Sequence, residues 1–453
     1  MSRASFGWGP QSMNDNGQQP YKESEKVIPL EAVEKPTLDP SAHQALKNDS
    51  SRKEVMKKLF ERSRQGLMKV NLAWMDKLYA EPSLRERMTF FWHNHFACRT
   101  LVPFFAQQQN NTIRSSALGT FGELLMAISK DPAMLQFLNN QQNKKDHPNE
   151  NFAREVMELF TLGRGNYSEQ DVREAARAFT GWGFNLQGEF QFRQRQHDFG
   201  TKTFRGVSKD FTGEQIIDSI LGDQATAKFI TRKLYQSFVS DQNIPTPVVD
   251  EWANSFYQSG YDIKKLMHVI FQSEEFNSPV NVGNRIKSPV ELLIGMQLHT
   301  NGKFENPQSL IFLQRAMGQV LFYPPNVSGW PKGKEWIDST SLTFRLTLPM
   351  LLFGGLETDF EASDDGDANG LGKERSGKRN LHCKADWIGL ANQFTKASGS
   401  ETAETIEEFL LSRKASSANR DLVSKRAGLA TNGPEFMKAL FIGFMSLPEY
   451  QMC

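Results

Sequence analysis

Apolar residues recur every three or four positions along most of the chain, which is the pattern of amphipathic helices. The pattern predicts a long helix from Ser51 to about Glu81, followed by helices that begin at Ser83, Pro103 and Asp131. Further helices are predicted over 213–221, 223–240, 246–258 and 261–272, from Pro289 to His299, from Pro307 to about Met317, and three or four times between 385 and 450.

The stretch from 149 to 182 predicts two amphipathic helices joined by a glycine turn. Asn149 is a typical N-cap for the first helix, and Gly163 is suited to end it. The second helix begins at Ser168, with Asp171 three residues later in a variant of the capping box. Ionisable residues are distributed through both helices, so this stretch is central to the search for a site.

The periodicity changes after Trp182, where apolar and polar residues alternate through Phe184, Leu186, Phe190 and Phe192. Alternation of this kind is typical of strands, and it predicts a small β-hairpin with His197 and Asp198 in or near its turn. The predicted fold class is therefore mainly α, a multi-helical globular fold with a small β-hairpin insertion near residues 183–205.

The chain has 453 residues, enough for two or three hydrophobic cores. Residues 1–50 are polar and rich in proline, which predicts an extended, partly ordered N-terminal arm. Residues 51–355 form the predicted main helical domain, with the site region at 83–205. Residues 356–381 have little apolar content and predict a flexible insertion, and 382–453 predict C-terminal helices that pack on the main domain.

The balance of charge argues against some functions, since a net charge of +1 gives no reason to expect nucleic acid as a partner. The basic N-terminal half of the 51–81 helix is interpreted as a solvated face. No apolar run approaches the roughly 18–20 residues that span a bilayer, so no transmembrane segment is predicted. The start, Met1–Gly7, has no apolar signal-peptide core. We therefore expect a cytoplasmic protein by default, or a periplasmic or secreted one if the N-terminus is truncated.

Several stretches are more specific than helical periodicity requires. They are Ser2–Gly7, Phe91–Phe96, His197–Asp198 with Lys202, Lys287–Glu291, Tyr323–Pro331 and the whole of 149–182. Together they closely resemble the bacterial "domain of unknown function 1800" family. The resemblance implies a mostly helical bacterial protein with no established reaction, and a sulfatase-like partner protein from a neighbouring gene. Many relatives carry histidine where this chain has Phe160, and we interpret position 160 as structural here.

Two pairs of residues are candidate metal ligands. His93 and His95 lie in a helical pattern that turns His95 toward the apolar stripe and His93 roughly to the opposite side. They could share one metal only if the helix breaks between them. His197 and Asp198 are predicted in a turn, where the carboxylate could orient the imidazole, and Lys202 follows them.

Acidic residues of the first central helix complete the candidate site. Glu155 and Glu158 are candidate catalytic carboxylates, and Arg154 or Lys202 is expected to hold an anionic group. Histidines with carboxylates suit a divalent metal such as Zn, Mn or Fe, whose bound water permits hydrolysis. The chain lacks the motifs of serine hydrolases, phosphate-binding loops and dinucleotide-binding folds.

Two hypotheses follow from these residues. The first is a metal-dependent hydrolase-like enzyme whose site lies between the 83–98 helix, the two central helices and the hairpin. The alternative is a non-enzymatic helical binding or assembly protein that acts with the sulfatase-like partner. In that case the charged residues form ion pairs between helices, and Pro324–Pro331 with Trp330 and Trp336 forms an exposed interaction loop.

Overall fold

The computed structural model describes residues 6, 27–35, 49–242, 244–357, 381–396, 398–428 and 433–453. Helices dominate this part of the chain, and the strands form only short two-stranded sheets, which confirms the predicted fold class. The predicted insertion at 356–381 lies almost wholly outside the described residues, and so does most of the predicted arm at 1–50. The proposed domain boundaries remain predictions.

Most helices of the first half begin and end close to the predicted positions, although the helix Phe121–Ser129 was not predicted. The helices of this half are α1 (Asp49–Ala80), α2 (Leu84–His95), α3 (Pro103–Ser116), α4 (Phe121–Ser129), α5 (Pro132–Phe137), α6 (Asn151–Glu155), α7 (Glu169–Ala178), α8 (Gly213–Leu221) and α9 (Gln224–Phe238). The predicted caps explain this agreement, since the side chains of Ser83, Asp131 and Ser168 each accept backbone N–H groups at the helix they precede. Ser168 and Asp171 form the predicted capping box.

The second half of the chain is also helical. Its helices are α10 (Thr246–Gln258), α11 (Ile263–Gln272), α12 (Glu274–Asn277), α13 (Pro289–Thr300), α14 (Gln308–Ala316), α15 (Ser339–Phe353), α16 (Trp387–Phe394), α17 (Gly399–Leu410), α18 (Ser417–Ala427) and α19 (Pro434–Met445). Residues 317–332, which include the proline-rich stretch, form an irregular loop as expected. In α18 Val423 and Ala427 are buried, whereas Leu422 is 46% exposed.

The first central helix differs from its prediction. It begins at Asn151 rather than after Asn149, and beyond Glu155 the chain widens into a π-helix, Val156–Thr161. The N–H of Leu162 reaches back five residues to the carbonyl of Met157, at 2.8 Å. Such wider turns are rare and occur often at functional sites.

The β structure consists of two hairpins where one was expected. Strands β1 (Trp182–Phe184) and β2 (Phe190–Phe192) pair antiparallel, and so do β3 (Lys202–Phe204) and β4 (Val207–Lys209). A third small pair joins β5 (Lys303–Phe304) to β6 (Cys383–Lys384). Arg205 and Gly206 both have positive φ, 52° and 80°, as a two-residue hairpin turn requires. His197 and Asp198 therefore lie in the connection between the two hairpins.

Two hydrophobic cores share helix α2. Leu84, Met88 and Trp92 belong to a core built from residues between 84 and 276. Phe90 belongs to a second core, which α1, α13, α15 and the C-terminal helices form. None of the described helices combines the length and the apolar composition needed to cross a membrane.

Candidate functional site

A cavity of about 430 Å³ lies where four distant parts of the chain meet. Helix α2 forms one wall, and the end of α9 with residues 241–242 forms another. The other two walls are the segment 285–291, which leads into α13, and the loop 331–336. The volume falls within the range of small-molecule sites.

The floor of the cavity contains a buried carboxylate between two arginines. Glu291 accepts two hydrogen bonds from Arg285, at 2.6 and 3.1 Å, and also contacts the guanidinium of Arg87. All three side chains are at most 8% exposed. Burial alone would raise the pKa of Glu291, but the two positive charges hold it well below its usual range. Glu291 is therefore ionised and fixed in place.

Aromatic rings and the last residues of the chain support this floor. The guanidinium of Arg87 lies 5.3–5.8 Å from the ring centroids of Phe6, Phe90 and Phe238, within the range of cation–π contacts. The backbone of Arg285 pairs with Cys453, whose N–H donates to the Arg285 carbonyl at 2.8 Å. The arginines are thus held by packing as well as by Glu291.

The loop at the cavity mouth carries exposed charges. Lys332, Lys334 and Glu335 are exposed, and Gly333 lies against Asp241 so closely that a Cβ there would meet the Asp241 carboxylate. Desolvation by the surrounding protein lowers the pKa of Lys332 in spite of the nearby Glu335. The mouth therefore carries two lysines and one carboxylate, and of the two lysines Lys332 binds its proton less tightly than an ordinary lysine.

His93 is a core residue. Its Nε2 accepts the N–H of Phe322 at 3.2 Å, and its ring packs against Trp74, Phe322 and Trp330. Burial, and next the charge of Arg114, lower its pKa to about 3. His93 is therefore neutral, and its buried Nδ1 has no hydrogen-bond partner among the described residues.

His95 points to the other core, as the helical pattern predicted. Its Nε2–H donates to the carbonyl of Phe160 at 3.1 Å, and its Nδ1 accepts from Lys233, also at 3.1 Å. Lys233 donates to the carbonyl of Leu159 at 2.8 Å. His95 and Lys233 thus each donate a hydrogen bond to a carbonyl of the π-helix. Burial, and next the charges of Lys233 and Lys332, keep the pKa of His95 well below 6.5.

His197, Asp198 and Lys202 each have a local partner. The Nδ1–H of His197 donates to the carbonyl of Thr180 at 2.8 Å, and its ring lies between Phe192 and Phe199. The Asp198 carboxylate pairs with Arg177 at 2.7 Å. The buried Lys202 amine contacts Asp210 at 2.6 Å.

The candidate residues of the first central helix lie at its surface. Arg154 binds both oxygens of Glu169, at 2.7 and 2.8 Å, and also Glu150. Glu158 accepts from the hydroxyl of Tyr167 at 2.5 Å and from Arg164 at 2.6 Å.

Glu155 differs from its neighbours in that it forms no ion pair with the described residues. Its side chain is half-buried, and its pKa is raised by burial and then by the charge of Glu158. Of the three candidate carboxylates, Glu155, Glu158 and Asp198, Glu155 alone forms no ion pair with a described residue and is open to a proton or a ligand.

A comparison with protein families decides the identity of the chain. The family model described as "Protein of unknown function (DUF1800)" matches residues 1–452. The chain belongs to the DUF1800 family. No curated protein and no solved structure matches it.

The three candidate histidines of this DUF1800 protein do not converge. His93, His95 and His197 share no hydrogen-bond partner and no ring contact. Within the part of the chain that the structure describes, no group of three or more His, Cys, Asp or Glu side chains is placed to hold a metal. Among the candidates, Glu155 and Glu158 lie together on one helix, whereas His197–Asp198 belongs to the hairpin region.

Sequence reasoning missed the residues of the cavity. None of the eight predicted site residues, all within the described chain, lines it. The sequence did contain a signal for the position of the cavity. The stretches Lys287–Glu291 and Tyr323–Pro331 carried the DUF1800 resemblance. In the structure both lie near Asn94, which belongs to the stretch Phe91–Phe96. Asn94 accepts the N–H of Trp330 at 2.9 Å. Glu291 also forms a capping box with Ser288 at the start of α13.

The predicted interaction loop also needs correction. Trp330 and Trp336 are 4% and 7% exposed, so they provide no exposed apolar patch. Trp330 packs on His93, and Trp336 lies in the cavity wall. Both tryptophans therefore pack inside the protein and are not available to a partner.

Proposed function

We propose that this protein binds a small acidic molecule in the cavity between α2, α9, the segment 285–291 and the loop 331–336. The observation that carries the proposal is the charge of the walls. Four basic side chains and three carboxylates line the cavity, and one of these carboxylates, Glu291, is already shared by Arg87 and Arg285. A negatively charged ligand balances the positive charge of the walls that the carboxylates leave.

The position of each group suggests how such a ligand lies. Lys332 and Lys334 are exposed at the mouth and are available to an acidic group. Phe91 and Trp336 offer apolar contact on opposite walls, and Asn94 and Gln319 add polar groups. Pockets that combine an apolar lining with a few polar groups are typical of small-molecule sites.

Thermal unfolding in the presence of small acids tests this proposal. We expect at least one of inorganic phosphate, sulfate or a series of short dicarboxylic acids to stabilise the folded chain, by about 2.7 kcal/mol at a concentration of 100 Kd. The double variant Lys332→Ala/Lys334→Ala should weaken that binding by roughly tenfold or more, since it removes the charges at the mouth.

A matched variant distinguishes the loss of lysines at the cavity from the loss of positive charge elsewhere on the surface. Lys228 and Lys265 are exposed lysines outside the cavity, paired with Asp250 and Asp262 at 3.0 and 3.3 Å. Lys228→Ala/Lys265→Ala should bind the stabilising acid as the wild type does. An equal loss in both double variants, or no stabilisation by any of the acids, contradicts the proposal.

The metal-dependent hydrolase predicted from the sequence is a second candidate, and one observation favours it. The π-helix lies next to Glu155, whose half-buried carboxylate has a raised pKa and forms no ion pair with any described residue. In this candidate Glu155 and Glu158 act as acid and base, and Arg154 or Lys202 holds an anionic group. The metal ligands predicted from the sequence, His93, His95, His197 and Asp198, do not meet among the described residues, so a metal would have to be bound by a part of this set.

Metal analysis tests this candidate. Mass spectrometry of gently purified protein should find near-stoichiometric Zn, Mn or Fe, which the variant His93→Ala/His197→Ala loses. The exposed His268 provides a control, since His268→Ala should keep the metal. If folded wild-type protein, checked by circular dichroism, carries no metal, the hydrolase candidate is dropped and the acid-binding proposal stands alone.

The binding proposal keeps the sulfatase-like partner that the family resemblance implies. On this proposal the chain is a helical binding or assembly protein. Its cavity holds the ligand on which the chain and the sulfatase-like partner act together. A pull-down with the tagged chain and the product of the neighbouring gene tests the partnership.

A further inference from the structure

Residues 53–66 of α1 lie outside both cores. From Lys53 to Gly66 every side chain is exposed or half-buried, and the next residue, Leu67, is buried. At 1.5 Å per residue this segment, residues 53–66, is about 20 Å long. Helices of this length are marginal in water without a partner, so a surface that covers one face would stabilise it.

One face of the segment is apolar. Val55, Met56, Leu59 and Phe60 fall within an arc of about 140° at 100° per residue. The same side of the helix, continued toward its C-terminus, carries Leu67, Val70 and Trp74, which are buried in the second core. The apolar stripe therefore extends beyond the part of the helix that the protein covers.

The uncovered stripe is exposed to a considerable degree. Met56, Leu59 and Phe60 are 50%, 39% and 41% exposed. The carbonyl of Leu101, a residue that is 51% exposed, accepts a hydrogen bond from the hydroxyl of Ser63, so the backbone of Leu101 lies beside this segment. Met56, Leu59 and Phe60 form an exposed apolar patch, and such patches mark interaction sites.

Basic residues occupy the other side of the segment. Residues 53–66 contain five basic and two acidic residues, a net charge of +3, whereas the whole chain carries only +1. Lys53, Lys57 and Lys58 are all exposed, and only Lys58 pairs with an acid of the segment, Glu54, at 2.8 Å. The balanced total charge thus conceals a local concentration of positive charge.

We infer that residues 53–66 bind an anionic lipid surface, with the helix parallel to the membrane plane. The apolar patch enters the boundary between headgroups and acyl chains, and the lysine side chains extend to the headgroups. A second copy of the chain is disfavoured, because it would bring two segments of charge +3 together. Lysine, a point charge on a flexible stem, suits a fluid array of headgroups better than a fixed bidentate partner.

Vesicle co-sedimentation of the full chain tests this inference. We expect at least about tenfold stronger binding to vesicles of phosphatidylglycerol and phosphatidylcholine than to phosphatidylcholine alone, with the difference reduced by salt. Leu59→Ser/Phe60→Ser and Lys57→Glu/Lys58→Glu should each lower binding to the anionic vesicles by about tenfold or more. Circular dichroism should find both variants folded, since these side chains are exposed.

A control variant removes exposed apolar residues elsewhere. Ile388 and Leu422 are 66% and 46% exposed on helices of the C-terminal region. Ile388→Ser/Leu422→Ser should bind the anionic vesicles as the wild type does. Equal binding to both kinds of vesicle, absence of binding, or an equal loss in all three variants overturns the inference. A dimer in analytical ultracentrifugation that Leu59→Ser/Phe60→Ser abolishes also overturns it, since a second copy would then cover the patch.

Discussion

Replacing Glu291 by alanine should lower the free energy of unfolding by about 3–5 kcal/mol, because it leaves two buried guanidinium groups without a counter-charge. Arg87 and Arg285 are 4% and 8% exposed, so water cannot replace the lost carboxylate. The change also removes the acceptor for the Ser288 N–H, at 2.7 Å, which caps α13. Urea unfolding followed by circular dichroism measures the difference.

The control for this prediction is Glu335, an exposed acidic residue that lines the same cavity. Glu335 accepts the N–H of Lys332 at 3.2 Å from the loop at the mouth. Glu335→Ala should cost about 1 kcal/mol or less, since surface charges contribute little. Equal losses in Glu291→Ala and Glu335→Ala would mean that Glu291 does not neutralise the two arginines.

The pH dependence of unfolding gives a second measure of Glu291. Its pKa is lowered in the folded state, so its contribution is fully present above the unfolded value, about 4.3. That contribution is lost as the pH falls from there toward the lower folded pKa. Below about pH 4 the wild type should therefore lose stability more steeply than Glu291→Gln.

Replacing Gly329 by alanine should lower the free energy of unfolding by roughly 3 kcal/mol. Gly329 has a φ of +88°, which L-residues rarely adopt, and a Cβ there would lie 2.2 Å from Oδ1 and 2.6 Å from the carbonyl oxygen of Asn94. The clash breaks the contact that holds the loop on α2. Urea unfolding measures the loss, and tryptophan fluorescence should shift to longer wavelength as Trp330 becomes exposed.

Gly318 provides a matched control for the backbone cost alone. Its φ is +80°, nearly the same, but a Cβ there would meet nothing within 4 Å. Gly318→Ala should therefore cost only about 1–2 kcal/mol, the price of a left-handed conformation for alanine. If the two variants lose the same stability, the loop does not pack tightly on Asn94.

Local signals in the sequence were sufficient to predict most helices. Ser83, Asp131 and Ser168 act as caps through contacts with residues two or three positions away, and Pro103 and Pro289 mark helix starts for equally local reasons. The π-helix was not predictable in this way. Its widened turn is supported by His95 and Lys233, which lie more than 60 positions away.

The candidate site was harder to predict, because its charges come from distant parts of the chain. Arg87 and Glu291 are 204 positions apart, and neither lies in a motif that indicates an ion pair. The opposite orientation of His93 and His95 was correctly predicted from helix geometry, since that depends on neighbouring residues. Which core each histidine would enter depends on tertiary contacts. The same is true of Trp330 and Trp336, which looked like an exposed surface and are buried.

The π-helix has a consequence for chain length. Over the same axial rise a π-turn holds about one residue more than an α-turn, so Val156–Thr161 can be regarded as an α-helix with one residue inserted. An insertion into a regular α-helix would rotate every following residue by about 100° about the axis, but the wider turn takes up the extra residue, so the residues after it keep their direction. A relative that lacks the residue would therefore align with a one-position gap in the middle of a helix, and its turn at Gly163 would face the same direction.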